Sequence, residues 1–174
     1  MENIIGICGG SASGKSTFAR KIAAELDDCS IISLDSFYRN DLHANYNFDY
    51  PAALDIELMR VFFADLSMGK MLKMPYYNFK KHQRDGFHEI MIGKNIVVEG
   101  LFVLHFDFIR EKLTKSYFVD APDDQRLIRR IRRDTKKRGR SLESVLKQWE
   151  EQVQPMYLKY VEPCKNLADQ IIEN

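Results

Sequence analysis

The sequence is poor in cysteine and in long apolar runs, and each shortage narrows the range of protein classes. Its 174 residues include only three cysteines, which are too few and too widely spaced for a disulfide framework or a zinc site. No stretch approaches the roughly 18 consecutive apolar residues of a membrane span, and the N-terminus lacks the pattern of a secretory signal. We therefore expect a cytoplasmic protein with reduced thiols and no membrane partner.

Net charge is also nearly absent. The 26 basic and 25 acidic residues leave a formal charge of +1, so a broad basic surface for nucleic acid is not expected. Hydrophobic residues make up 45% of the chain, which is enough for a full core in a protein of this length. Repeats and proline-rich linkers are lacking, and we expect residues 1–174 to form one domain.

A glycine-rich motif near the N-terminus carries the strongest chemical signal. Residues 9–16, GGSASGKS, match the pattern G-x-x-x-x-G-K-[ST], with an apolar strand before them and an amphipathic helix after them. Such a loop surrounds phosphates with backbone N–H groups, while its lysine reaches the β- and γ-phosphates and its final hydroxyl ligates Mg²⁺. The predicted ATP-binding residues are Gly9, Gly10, Ser11, Ala12, Ser13, Gly14, Lys15, Ser16 and Thr17, and the predicted cofactor is Mg²⁺.

Apolar strands alternate with helical segments along the rest of the chain. Strands are predicted at 3–8, 30–34, 96–98, 115–120 and 170–172, and helices at 17–26, 55–66, 123–137 and 142–160. This alternation predicts an α/β, three-layer P-loop NTPase fold with a mainly parallel sheet. Residues 38–53 and 73–92 interrupt the pattern as two insertions, the second of them hairpin-like.

Two acidic residues follow predicted strands. Ligands of open α/β sheets bind beyond the carboxyl ends of the strands, where Asp35 and Glu99 stand. Glu99 is predicted to hold Mg²⁺, and Asp35 to accept a proton from an attacking hydroxyl. The alternatives are a helix-capping role for Asp35 and a solvated strand-end acid for Glu99.

Arginines are concentrated between residues 126 and 140, where we predict a lid. Arg133 and Arg138 are expected to stabilise charge on a transferring phosphoryl group. Arg126 and Arg132 are expected to lie on a solvated helix face instead.

The two insertions contain the residues of a predicted acceptor pocket. Its candidate aromatic residues are Phe48, Tyr76, Tyr77 and Phe79, and its candidate polar residues are Asp49 and His82. The alternative is that these aromatic rings form a local core that fixes the insertions.

The motifs together resemble the uridine kinase (uridine–cytidine kinase) family. The resemblance covers nearly the whole chain in order: the glycine-rich loop, DSFYR at 35–39, NFDYP at 47–51, PYYNF at 75–79 with His82 and Arg84, VVEG at 97–100, and the segment from Asp134 through RGRS to Gln148. Tyr50 departs from the family, which usually has histidine there, and family members usually continue past the last strand.

This resemblance implies transfer of the γ-phosphoryl group of ATP or GTP to the 5′-hydroxyl of uridine or cytidine. It implies that Asp35 is the base and shares Mg²⁺ with Ser16 and Glu99, and that Arg133 and Arg138 contact the phosphates. It further implies an acceptor site in which Asp49 binds the ribose 2′- and 3′-hydroxyls and is assisted by Arg130, Arg140 and Gln148. In that site, Tyr77, Phe79 and His82 would recognise the pyrimidine, and Tyr38 and Phe48 would line the pocket.

Two other functions stay open. One is a related kinase for another hydroxylated metabolite, such as a riboside, pantothenate or a sugar phosphate. The other is a non-catalytic nucleotide-binding module, although the guanine-binding Asn-Lys-x-Asp pattern is lacking. The expected partners are a small-molecule nucleoside and a nucleoside triphosphate, with a homo-oligomer among the open alternatives.

Overall fold

The main element of the fold is a parallel sheet, seen in a computed structural model that describes residues 2–43, 46–79 and 81–174. Residues 44, 45 and 80 of the predicted insertions lie outside the described residues. The strands are β1 (Asn3–Gly9), β2 (Cys29–Ser33), β3 (Met71–Asn78), β4 (Gln83–Met91), β5 (Asn95–Glu99), β6 (Lys115–Asp120) and β7 (Gln170–Glu173). Five of them form the sheet in the order β2-β5-β1-β6-β7, and all its pairings are parallel.

The central strand β1 is buried on both faces, as expected for a sheet covered by helices on each side. Ile4 and Cys8 belong to the larger core cluster, whereas Ile5 and Ile7 belong to the smaller one. This division follows from the alternation of side chains along a strand. The sheet therefore separates two cores, which confirms the predicted three-layer α/β architecture.

Helices cover both faces of the sheet: α1 (Lys15–Ala24), α2 (Ile56–Ala64), α3 (Asp107–Arg110), α4 (Asp123–Arg138), α5 (Leu142–Gln148) and α6 (Gln154–Met156). Helix α1 packs Phe18, Ile22 and Ala23 against the smaller cluster. Helix α2 contributes Met59 and Phe63 to the larger one. Within the described ranges, no helix is long and apolar enough to cross a bilayer.

Local signals explain where two of these helices begin and end. Asp55 caps α2, because its Oδ1 accepts a hydrogen bond of 3.1 Å from the backbone N–H of Leu58. Helix α4 follows Pro122 and ends at Gly139, whose φ of +67° is the left-handed conformation that glycine adopts without strain. The turn at Gly139 leads from the helix to Arg140.

The helix predicted over 142–160 differs from an ordinary α-helix. After α5, the backbone widens into π-helical turns at Trp149–Val153 and Tyr157–Val161, on either side of the short α6. Pro155 lies between them and has no N–H to donate to the preceding turn, which accounts for the break in the regular α pattern. The widened turns place Trp149 and Tyr157 in the interior.

The hairpin-like insertion is confirmed as the antiparallel pair β3–β4. Its register pairs Met71 with Met91 and Asn78 with Gln83, with an irregularity between Pro75 and Tyr77. His82 lies in the connecting turn with a φ of +52°. The hairpin therefore carries His82 at its tip.

Arg126 contradicts the expectation of a solvated side chain. Its residue exposure is 0%, and its guanidinium carbon lies 3.8 Å from the ring centroid of Tyr157 and 5.2 Å from that of Trp149. Asp123 and Gln154 accept hydrogen bonds from the same guanidinium group. The prediction for Arg126 was wrong because the aromatic rings that cover it come from a helical segment more than twenty residues later in the chain. Arg132 is exposed, as expected.

Arg126→Ala should destabilise the fold by about 2–4 kcal/mol, since it opens a cavity and removes two cation–π contacts. Arg132→Ala is the matched control on the same helix and should change the free energy of unfolding by less than about 0.5 kcal/mol. Urea denaturation of both variants measures the difference. Equal stabilities would contradict the packing role of Arg126.

Candidate functional site

The glycine-rich loop connects β1 to the N-terminus of α1, as its motif predicts. Gly14 precedes α1 with a φ of +100°, and within the described chain no side chain caps this helix. Its first N–H groups are thus available to an anion, which the helix dipole also favours. The backbone at Gly10 packs tightly against Arg126, because a Cβ at this position would lie only 2.5 Å from Arg126 Nη1.

Beside the loop, Glu99 accepts hydrogen bonds from two hydroxyl groups. Ser16 Oγ lies 3.0 Å from Glu99 Oε2, and Ser33 Oγ lies 2.7 Å from Glu99 Oε1. Parallel pairing of β2 with β5 puts Ser33 opposite Glu99. This carboxylate is only 7% exposed, so the two hydroxyls hold it in one orientation.

The donor set at this point fits Mg²⁺, which prefers oxygen ligands. Ser16 supplies a hydroxyl and Glu99 a carboxylate, and Asp35 follows Ser33 by two residues. Across the ranges that the structure describes, no cluster of three or more His, Cys, Asp or Glu side chains forms a metal site by itself. A cation held here would therefore share its coordination between these residues and phosphate oxygens or water.

Most of the predicted site residues line one cleft of about 480 Å³. It lies at the carboxyl ends of β1, β2 and β5, between the glycine-rich loop, the hairpin tip and α4. The lining residues are Ser11, Lys15, Asp35, Tyr38, Phe48, Asp49, Tyr77, Phe79, His82, Leu101, Arg130, Arg133, Arg138, Arg140 and Gln148. The cleft therefore joins the predicted phosphate site to the predicted acceptor residues.

Aromatic rings form one wall of the cleft. Tyr38 is central, with ring centroids 5.3 Å from Tyr77, 5.4 Å from Phe48 and 6.2 Å from Phe79. His82 lies against Phe48 at 5.3 Å with an interplanar angle of 33°. These contacts show that the rings pack on one another as well as facing the cleft, so the local-core alternative describes part of their role.

Asp49 is a buried acid beside this wall, with an exposure of 8%. Burial raises the pKa of its carboxyl group, and the positive charge of Arg130 opposes that rise. A carboxylate in this position can accept hydrogen bonds from ligand hydroxyl groups.

Another wall of the cleft consists of arginines arranged around the fully buried Asp134. Its Oδ1 accepts a 2.7 Å hydrogen bond from Arg133 Nε and lies 3.7 Å from Arg138 Nη1, while its Oδ2 lies 3.5 Å from Arg130 Nε. Burial acts to raise the pKa of Asp134, but the hydrogen bond from Arg133 and the charges of the three arginines outweigh it and hold the pKa below its usual range.

Four contacts connect the arginine wall to the rest of the cleft. Arg130 donates to Ser11 Oγ at 2.6 Å and to Gln148 Oε1 at 2.8 Å, and Arg140 donates to the same oxygen of Gln148. The guanidinium carbon of Arg138 lies 4.8 Å from the ring centroid of Phe79. The segment predicted as a lid thus reaches the hairpin tip.

Comparison with known proteins identifies the family. A family model described as "Phosphoribulokinase / Uridine kinase family" matches residues 4–174. The chain belongs to this family. A uridine kinase from Deinococcus deserti is 40% identical over 178 residues, covering 97% of this chain and 86% of its own length. Uridine-cytidine kinase A from Dictyostelium discoideum is 41% identical over 97% of this chain, which spans 35% of that protein.

A structural comparison agrees on the fold. The protein described as a possible uridine kinase from Bacillus stearothermophilus superposes with a TM-score of 0.67 at 21% identity, covering 98% of this chain and 88% of its own. At that identity, the likeness supports the P-loop kinase fold alone.

The sequence prediction for this uridine kinase family member missed two residues and misplaced a third. Leu101 lines the cleft directly after β5, and Ser33 orients Glu99. Tyr76 does not line the cleft and is 55% exposed. Leu72 and Met74 are buried on β3, but the register irregularity between Pro75 and Tyr77 reverses the alternation, so Tyr77 is buried in place of Tyr76. The position of Ser33 near the end of a predicted strand, two residues before Asp35, was the available signal.

His82 offers a test of the electrostatics of this cleft. Burial lowers its pKa from 6.5, and the positive charges of Arg140 and Arg138 lower it further. Arg140→Gln should therefore raise the pKa of His82, as measured by NMR titration of its imidazole protons. Because the pKa is lower in the folded than in the unfolded chain, protonating His82 destabilises the fold as pH falls from 6.5 through the folded pKa.

Arg132→Gln is the control, since Arg132 is exposed on α4 and does not line the cleft. It should leave the midpoint of His82 unchanged. If Arg140→Gln also leaves the pKa of His82 unchanged, the charge of Arg140 does not act on the imidazole as described.

Proposed function

We propose that this protein is a cytoplasmic kinase that transfers the γ-phosphoryl group of ATP or GTP to the 5′-hydroxyl of uridine or cytidine. The observation that carries this proposal is the single cleft that joins the glycine-rich loop to an aromatic, acid-containing pocket. We also propose that residues 1–174 act as one kinase domain. In that domain, residues 38–53 and 73–92 form the acceptor side and residues 126–140 form the lid.

At the donor end, catalysis is mainly a matter of charge. The transferring phosphoryl group carries its charge on its peripheral oxygens, and stabilisation of that charge lowers the barrier. Lys15, Arg133 and Arg138 line this part of the cleft and supply positive charge. Lys15 is only 8% exposed, so bulk water screens its charge little.

Asp35 is the proposed base. It lines the cleft together with Lys15, between the phosphate loop and the aromatic wall. From this position, its carboxylate can orient the 5′-hydroxyl and accept its proton as the oxygen attacks the γ-phosphorus. Its position in the 3-10 turn Leu34–Phe37 directs it to the same edge of the sheet as Glu99.

At the acceptor end, the pocket supplies contacts for both parts of a nucleoside. Asp49 and Arg130 are the proposed ribose ligands, and Arg140 and Gln148 support them through the hydrogen bonds described above. Tyr77, Phe79 and His82 are the proposed partners of the pyrimidine, which an aromatic wall can hold by stacking.

Ser16, Asp35 and Glu99 are the residues proposed to hold Mg²⁺. The bound ion would neutralise charge on the β- and γ-phosphate oxygens. The hydrogen bonds to both oxygens of Glu99 support this assignment, because they already orient the carboxylate beside the loop.

The decisive test is nucleoside-dependent ADP release in a panel of nucleosides, vitamins and sugars with Mg·ATP. Uridine or cytidine should stimulate ADP release, and Asp35→Asn should lower kcat by about 10²–10⁴ without loss of ATP binding. Asp65→Asn, at an exposed acid outside the cleft, is the matched control and should keep the full rate.

Each other outcome identifies a different error. A response only to another alcohol would support the kinase activity but show that the proposed acceptor, uridine or cytidine, is wrong. No response to any alcohol would indicate a nucleotide-binding module. A normal rate in Asp35→Asn would return Asp35 to a structural role in its turn.

Glu99→Gln tests the metal site separately. The uncharged amide should bind Mg²⁺ less well, and the concentration of Mg²⁺ required for half-maximal activity should rise at least about tenfold. Calorimetric titration of ATP with and without Mg²⁺ should show that the ion improves ATP binding less in the variant. Glu89→Gln, at an exposed acid on β4, should behave as the unaltered protein; an unaltered Mg²⁺ requirement in Glu99→Gln would exclude Glu99 as a ligand.

A further inference from the structure

We propose that Ser11, although it belongs to the phosphate-binding loop, acts on the acceptor side: its hydroxyl positions the Arg130 guanidinium for the nucleoside. This inference rests on the proposed function and adds a positioning residue to it. Ser11 is thereby distinguished from the other loop residues, whose expected role is to surround the triphosphate.

The contact that supports this role is short and buried. Arg130 Nη1 donates to Ser11 Oγ at 2.6 Å, and the two residues are 5% and 7% exposed. A buried hydrogen bond to a charged donor is among the stronger polar contacts in proteins. If the hydroxyl is removed, Nη1 loses this partner.

The other contacts of Arg130 show which way its guanidinium faces. Nη2 donates to Gln148 at 2.8 Å, and Nε lies 3.5 Å from Asp134 Oδ2. Burial lowers the pKa of Arg130, and the negative charges of Asp49 and Asp134 oppose that change. The guanidinium lines the same cleft as Ser11 and Asp49, and Ser11 holds its Nη1.

The location of Ser11 agrees with this role. Ser11 lines the cleft together with Asp49 and Leu101, and the same three residues also line a smaller void behind it. Its hydroxyl is already engaged by Arg130. A ribose hydroxyl held between Asp49 and Arg130 would thus depend on Ser11 for the orientation of one of its two partners.

Ser116 is a matched control outside the cleft. It is 5% exposed, and its Oγ donates a hydrogen bond of 2.8 Å to Asp169 Oδ2. Replacing either serine by alanine removes one buried hydroxyl that bonds a charged side chain. Only the change at Ser11 removes a contact with Arg130.

The experiment measures KM for uridine and for ATP in Ser11→Ala and Ser116→Ala. Ser11→Ala should raise the KM for uridine about five- to twentyfold, the loss expected for one hydrogen bond to a charged group that keeps its other partners. Its KM for ATP should change by less than about twofold. Ser116→Ala should leave the KM for uridine and the KM for ATP unchanged.

A second variant tests whether Ser11 acts through Arg130. In an Arg130→Met background, the further change Ser11→Ala should raise the KM for uridine by less than about twofold, because the partner of the hydroxyl is already gone. If Ser11→Ala acted by loosening the loop in general, it would raise the KM for uridine by the same factor with and without Arg130→Met.

Three results would overturn the inference: a rise in the KM for ATP instead of uridine, no change in either KM, or full additivity with Arg130→Met. Failure of the proposed function has a different signature. If the unaltered protein phosphorylates another alcohol and not uridine, the same measurements with that alcohol decide the role of Ser11.

Discussion

The cleft depends on holding several like charges close together around one buried carboxylate. Arg130, Arg133 and Arg138 converge within 4 Å of the carboxyl oxygens of Asp134, a residue with no exposed surface. Desolvation and mutual repulsion both oppose such an arrangement, and burial lowers the pKa of Arg130 and of Arg138. The central carboxylate offsets part of this cost, so the arginines stay in place before any phosphate binds.

The parallel sheet determines where this charge is used. Because β1, β2 and β5 run in the same direction, the loop, Asp35 and Glu99 follow their strands at a single edge. The two segments that interrupt the α/β pattern supply the aromatic wall, and α4 supplies the arginines. Contacts between these parts, such as Arg138 with Phe79 and Arg130 with Ser11, connect the donor and acceptor ends of one cleft.

The parts of the site that could be predicted from the sequence are those encoded by patterns within a few neighbouring residues. The glycine-rich loop has a fixed spacing and defined flanking elements, and both elements were found as expected. The arginines were harder to assign as buried or exposed, because Arg126 and Arg132 are the same residue type in the same predicted helix. Tyr76 and Tyr77 pose the same difficulty, since only the pairing register decides which of two adjacent side chains a strand buries.

By itself, the sequence determined which functional segments occur along the chain and in what order. These are a phosphate loop after the first strand, acids at the ends of two later strands, an aromatic hairpin and an arginine-rich helix. These features are encoded by spacing and periodicity over a few residues. Only the tertiary structure decided which side chains meet. The burial of Arg126 on Tyr157, the gathering of arginines around Asp134 and the contact of Ser11 with Arg130 all join residues far apart in sequence or depend on packing. Such contacts leave no local pattern, since each depends on the simultaneous position of several elements around the sheet.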